Sequence, residues 1–178
     1  MKRAKRHGRL RALVLLGGGL GLVWLWVSVA TAGGAIRYQY FMIHHTDTPE
    51  KTASGKPFPV FDREKCDEMA RARGWDECGY NFLVERDGTV YPARPLWKKG
   101  AHCPHDGMNR EAVAAAFVLR GTEEKPSGKA LDAMLCIWRQ LNSSLGYKLK
   151  LTFHGDHAKT ICPSNNVREA IADEIGKN

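Results

Sequence analysis

Between Ala12 and Ile36 the chain runs for 25 residues without a formal charge, and that run conditions everything the remainder can fold into. As a helix it is long enough to cross a hydrocarbon core of roughly 30 Å. Lys2, Arg3, Lys5, Arg6, Arg9 and Arg11 precede it with no acid among them, the flank expected of a span whose N-terminus stays inside. The same stretch also reads as a secretory signal, because Ala30-Thr31-Ala32 before Gly33 is a small-residue cleavage site. Gly17, Gly18, Gly19 and Gly21 dilute the hydrophobicity and lower the helix propensity, which opens a third reading, an anchor that holds the bilayer weakly and later lets go. A plain buried helix is the fourth. The first three place the rest of the chain outside the cytoplasm, either tethered to the inner membrane or free in the periplasm or beyond. Residues 1–36 are thus read as a basic head with a signal or anchor helix. Residues 37–178 are read as one domain of ordinary size, too small to include a second catalytic unit.

With 43% hydrophobic and 26% charged residues, the chain lies outside the disordered and collagen-like classes. A formal charge of +8 suggests nucleic acid until the six cations of the head are set aside, which leaves only +2 for the rest. No nucleic-acid partner is expected. In an oxidising compartment, thiols that meet tend to pair, and the chain has five: Cys66, Cys78, Cys103, Cys136 and Cys162. With Cys162 reserved for another task, the other four allow three connectivities, and spacing does not choose among them.

Tyr38 to Thr46 is rich in aromatic and β-branched residues and reads as a buried strand, followed by a proline-bearing loop from Asp47 to Pro59. Asp62 can cap a helix running to about Arg73, with Cys66, Met69 and Ala70 on one face and Gly74 as its stop. Two strand segments, YNFLVER and TVYPA, meet at Asp87-Gly88, a dipeptide that favours the type I′ hairpin turn. Ala114 to Leu119 and Lys148 to Phe153 read as further strands. Between them Ser127 precedes a helix whose Leu131, Met134, Leu135, Trp138 and Leu141 recur at helical spacing. A last helix from about Asn166 to Ile175 places Val167, Ala170, Ile171 and Ile175 on one side. Strands interleaved with helices predict an α/β domain, a small central mixed sheet flanked by about three helices.

The histidines gather where elements end. His44 and His45 close the first strand, where alternation sends them to opposite faces, so at most one serves a site there. His102 and His105 lie in a loop, and His154 and His157 follow the last strand. His154 and Cys162 flank the turn HGDHAKTIC that Pro163 closes. Two imidazoles and a thiolate give zinc three ligands with a fourth position open, which is a catalytic rather than a structural composition. Taken alone, a His and a Cys eight apart match no general zinc motif, and any one of these histidines also reads as a satisfied loop or core side chain.

Several ordered blocks add a resemblance. IHHT ends the first strand; GWDECGYNFLVERDGTVYPARP, then GAH with Asn109 after it, AAFVLRG and HGDHAKTICPS come next in order. From about Tyr40 to Ile175 the chain resembles the zinc-dependent N-acetylmuramoyl-L-alanine amidases of the phage lysin and peptidoglycan recognition protein superfamily. The resemblance implies zinc ligands at His44, His154 and Cys162, an active-site tyrosine at Tyr80, and a site-adjacent histidine at His102 facing substrate. It also implies a polar group two residues before the ligating cysteine, usually lysine in the phage amidases and threonine in the animal proteins. Here that residue is Thr160, and neighbouring Lys159 reads as a solvated charge. His45, His105 and His157 take structural or solvent-facing roles.

The activity implied is hydrolysis of the amide between N-acetylmuramic acid and L-alanine in peptidoglycan, with zinc as cofactor and a monomer as the working form. Some members of the superfamily bind peptidoglycan without cutting it and usually lack the ligating cysteine, which is present here as Cys162. The glycine-diluted N-terminal run is similar to the signal-anchor-release segments of certain phage lysins. That similarity favours a phage endolysin over a resident periplasmic enzyme of wall turnover.

Overall fold

The computed structural model describes residues 36–177. The signal or anchor segment read from the sequence therefore lies outside the described residues, Ile36 excepted. Among the described residues, no helix is long and apolar enough to cross a membrane.

Five strands form one mixed sheet: β1 (Tyr40–His45), β2 (Phe82–Val84), β3 (Val90–Pro92), β4 (Ala112–Phe117) and β5 (Lys150–Phe153). Their order is β3-β2-β4-β1-β5, all parallel except β3, which pairs antiparallel with β2. Helices α1 (Arg63–Ala72), α2 (Met108–Glu111), α3 (Gly128–Leu145) and α4 (Asn165–Gly176) surround it. Three of these are the expected helices, and α2 is a single turn that the sequence pattern does not signal.

The central strands are buried on both faces, as parallel strands between helices must be. Every residue of β4 is buried, and its run of alanines admits the helices closely. Phe41, Ile43, Val113, Ala115 and Phe117 point to one face and pack with Leu131, Met134 and Leu135 of α3 and with Val167 and Ile171 of α4. On the other face Leu83 and Ala116 meet Cys66 of α1, while Met42 packs with Cys103 and Met108. Asn81, 2% exposed, ties β2 into place: its Oδ1 accepts from the Ala114 amide and its Nδ2 donates to the Arg94 carbonyl.

The helix signals act as read. Asp62 Oδ1 accepts from the Lys65 amide at 3.0 Å, and Gly74 follows α1 at φ +81°. Ser127 Oγ accepts from the Ala130 amide at 3.1 Å, and Gly146 ends α3 at φ +73°. Trp138 on the expected stripe is half-buried, its indole N–H donating to the Leu149 carbonyl at 2.9 Å.

The hairpin differs from the expectation. Of its central residues only Gly88 has positive φ, at +89°, and Glu85 pairs with Thr89 across a three-residue loop. A type I′ turn needs two residues with positive φ; here a single left-handed glycine closes the loop, and Asp87 Oδ1 accepts from the Thr89 amide instead. Strand β4 begins at Ala112, two residues before the expected start. Ile175, expected on the buried side of the last helix, is 41% exposed.

Of the cysteines left open by the sequence, Cys66 and Cys78 form a disulfide that joins α1 to the segment before Tyr80. Cys103 and Cys136 remain free, because one packs beside Met42 while the other lies on α3, across the sheet.

Candidate metal centre

Strand parity separates the two adjacent histidines. His44, fully buried, shares a face with Met42; its ring lies 5.1 Å from that of Tyr80 and 4.6 Å from that of His154, centroid to centroid. His45 turns the other way, and its Nδ1 accepts from the Gly121 amide at 2.9 Å. Strand β5 ends level with Ile43, so on that side the His45 amide has no strand to bond. It donates to the Cys162 sulfur at 3.3 Å.

His154 sits in the 3-10 turn His154–Asp156 that follows β5 directly, and Cys162 closes the same loop. The loop folds back on itself through Gly155, whose amide donates to the Cys162 carbonyl at 2.8 Å. A Cβ on Gly155 would stand 2.8 Å from the Thr160 carbonyl oxygen, so only glycine fits there. Asp156 braces the turn, accepting from the Phe153 amide at 2.9 Å and from Arg168 at 2.7 Å.

The donor atoms of His44, His154 and Cys162 all lie within 4.8 Å of one another, with His44 Nδ1 3.8 Å from Cys162 Sγ. Zinc bonds of about 2.0–2.3 Å in a tetrahedron set neighbouring donors about 3.3–3.6 Å apart, so small side-chain rotations bring this triangle to coordination distance. Two imidazoles and a sulfur suit zinc by donor type. The electrostatics favour a cation. Burial holds His44 well below the usual histidine range, with neighbouring histidines adding to the effect, and lowers His154 as well. Both rings are therefore neutral, with lone pairs to give. Burial pushes the Cys162 thiol up to about 12 against the opposing His45 amide, so the sulfur needs a positive partner to ionise near neutrality.

The structure puts His102 behind His44 rather than in front of it. His44 Nε2 faces His102 Nδ1 at 3.2 Å. A proton on His44 Nε2, donated to His102, leaves the Nδ1 lone pair free on the side of Cys162. His102 is buried, at 9% exposure, and its Nε2 has no hydrogen-bond partner among the described residues. Burial pulls it down to about 4 despite a backbone contact with Ala112 that raises it. Asn109 Oδ1 holds this loop by accepting from the amides of His102 and Cys103 at 2.8 and 2.9 Å.

Tyr80 is positioned by Gly79, whose added Cβ would stand 2.1 Å from the Ala101 carbonyl oxygen. Its phenol lies beside the donor triangle, and no described residue accepts from or donates to it. Burial, reinforced by the Cys162 sulfur, raises its pKa well above the ordinary tyrosine value. Thr160 is exposed, and its Oγ1 accepts from the Cys162 amide at 3.2 Å, which leaves its O–H free to donate. Lys159 is exposed, His105 lies in an exposed turn, and His157 bonds Thr152 at 2.9 Å and Asp106 at 3.4 Å.

Residues 34–165 match the N-acetylmuramoyl-L-alanine amidase family. The chain belongs to that family. Within it the chain is similar to peptidoglycan-recognition protein 1 of Holotrichia diomphalia, at 32% identity over 115 residues, 61% of this chain and 55% of that protein. It spans about half the length of the first curated relatives it matches. Among solved structures it is similar to the endolysin N-acetylmuramoyl-L-alanine amidase LysCS from Clostridium intestinale, at 29% identity and TM-score 0.63, covering 79% of this chain and 86% of that one. It is similar as well to a point mutant of Drosophila PGRP-LB in complex with tracheal cytotoxin, at 27% identity and TM-score 0.63, covering 76% of this chain and 80% of that one.

Two contributors to this amidase-family site have no signal in sequence spacing: the His45 amide aimed at Cys162 and the Gly121 amide that holds the His45 ring. Both depend on where neighbouring strands end. Asn109 stands beside the GAH block in the sequence, but its service to the His102 loop shows only in the fold.

Proposed function

We propose that this protein is an exported, zinc-dependent amidase of the endolysin type. It hydrolyses the amide between the lactyl group of N-acetylmuramic acid and the L-alanine of the stem peptide in peptidoglycan. The observation that carries the reading is the unengaged Tyr80 hydroxyl beside three convergent donors, His44, His154 and Cys162. The chemistry a zinc ion supplies in such a triangle is polarisation of a carbonyl and acidification of water.

The chain's own groups do the rest. His102 fixes the His44 tautomer, and the His45 amide orients the Cys162 sulfur. Tyr80 keeps its proton across the working pH range and donates a hydrogen bond to the oxygen on which negative charge develops. Thr160, restrained through the Cys162 amide, offers a second O–H at the same rim.

Similarity to an endolysin amidase and to a recognition protein in complex with tracheal cytotoxin supports peptidoglycan as the substrate class. The Cys66–Cys78 disulfide suits an oxidising compartment, and residues 1–36 serve as signal or releasable anchor. The test is mass spectrometry of fragments released from purified peptidoglycan, with chelator and with zinc added back. Free stem peptides beginning at L-alanine, lost with chelator and restored by zinc, are expected. An intact wall under conditions where the protein holds zinc and binds wall would leave recognition without cleavage as the function.

A further inference from the structure

The sheet is electrically polarised between its two edges. Beside β3, Tyr91 is bordered on one side by Asp62, Glu64 and Asp67 and on the other by Glu50, Glu85 and Asp87. Of the three arginines among them, Arg63 and Arg86 are drawn into ion pairs with Asp67 and Glu124, and Arg71 forms none among the described residues, which leaves the acids in excess. The opposite edge, β5, is basic. Arg37, Lys148 and Lys150 are all exposed there, and none forms an ion pair among the described residues. Each lies over an aromatic ring: Arg37 over Tyr147 at 5.9 Å, Lys148 over Trp138 at 5.5 Å, Lys150 over Tyr40 at 6.0 Å.

These six side chains sit at one end of the sheet. Tyr40 is level with Lys150 in the pairing of β1 with β5, and the Tyr147 hydroxyl donates to the Tyr38 carbonyl at 2.9 Å. This is also where the chain enters the domain, at Ile36 and Arg37, immediately after its uncharged run. The donor triangle stands at the other end. His44 is four residues further along β1, about 13 Å at strand rise, and His154 follows the far end of β5.

We propose that the end of the β5 edge formed by Arg37, Lys148, Lys150 and their aromatic partners lies against an anionic phospholipid bilayer. Unpaired cations match acidic headgroups, and Tyr and Trp rings suit the interfacial zone where one side is apolar and the other wet. The acidic β3 edge is repelled, so the surface selects one orientation. In that orientation the donor triangle faces away from the bilayer, toward the wall.

The test measures partition of the full chain onto vesicles of phosphatidylcholine alone and with about a third phosphatidylglycerol. The native chain is compared with an R37Q/K148Q/K150Q variant and with a K51Q/K56Q/K129Q control of equal net charge. Residues 1–35 are common to all three, and lipid is titrated to the range where the native chain is about half bound, so a difference among the chains reports the domain. Loss of three surface cations lowers partition onto the anionic vesicles about a hundredfold, and the control changes it less than about threefold. R37K/K148R/K150R, which keeps charge, retains binding. Native-like partition by the triple variant, or an equal loss in the control, would overturn the proposal. So would a loss of binding to a soluble glycerol-phosphate polymer with vesicle partition unchanged, which would make the edge a wall-polymer site.

Discussion

The Tyr80 hydroxyl and the His102 ring make different kinds of contact with the same centre, and single substitutions separate them. Tyr80→Phe removes a donor while leaving the ring against His44 and the three convergent side chains in place. Zinc content by mass spectrometry should be unchanged, and the rate of wall cleavage should fall about a hundredfold to a thousandfold. His102→Ala removes the partner of His44 Nε2. Zinc affinity, read by competition with a chromophoric chelator, should weaken about tenfold to a hundredfold, with His102→Gln restoring part of it. That only one of His44 and His45 serves the site was legible because alternation in a strand is a local rule; which of the two it is came from the family resemblance. The place of His102 behind His44 was not, since a contact between residues 58 apart exists only once the loop has docked. A histidine near a zinc site in sequence is equally consistent with facing the substrate or with buttressing a ligand.

At the scale of elements, what could be read came from caps and periodicity, which act within one turn of chain. Asp62, Ser127 and the α3 stripe are of this kind. The hairpin shows the limit: Asp-Gly favours a turn but leaves its type open, and the Glu85–Thr89 pairing selects the loop with one left-handed glycine. Nor did periodicity reveal α2, whose single turn is too short to show a helical pattern. The turn before Tyr80 offers a prediction at this scale. Gly79 has ordinary negative φ, yet a Cβ there would meet the Ala101 carbonyl oxygen at 2.1 Å, a backbone atom fixed by the GAH loop. Gly79→Ala should force these two loops apart, costing about 1–3 kcal/mol in urea unfolding. It should also reduce turnover, because one loop bears Tyr80 and the other His102. Native-like stability and turnover in this variant would mean that the two loops yield independently of the site.

For the molecule as a whole, one carboxylate links the hairpin, the segment after β1 and the loop before α3. Glu124, in the loop before α3, accepts from Arg86 Nε and Nη2 at 2.8 Å each and from the Arg120 amide at 3.1 Å. Arg86, at the hairpin, also donates to the Thr48 carbonyl just beyond His44 and His45. Three stretches distant in sequence thus meet at one ion pair. Partial burial pushes the Glu124 pKa upward, but the Arg86 hydrogen bonds outweigh it and hold the carboxyl below its ordinary value. A group with a depressed folded pKa adds stability above its unfolded pKa, near 4.5 here, and that stability is lost as pH falls through the folded value. Glu124→Gln should therefore unfold more easily than the native chain at about pH 7, by about 1 kcal/mol for a partly exposed pair. The two chains should converge as the medium is acidified below the folded pKa, because both then carry a neutral side chain at this position. Urea titrations across the acid range measure both quantities. A gap that persists undiminished into strong acid would mean that Glu124 contributes through shape and hydrogen bonding rather than through its charge.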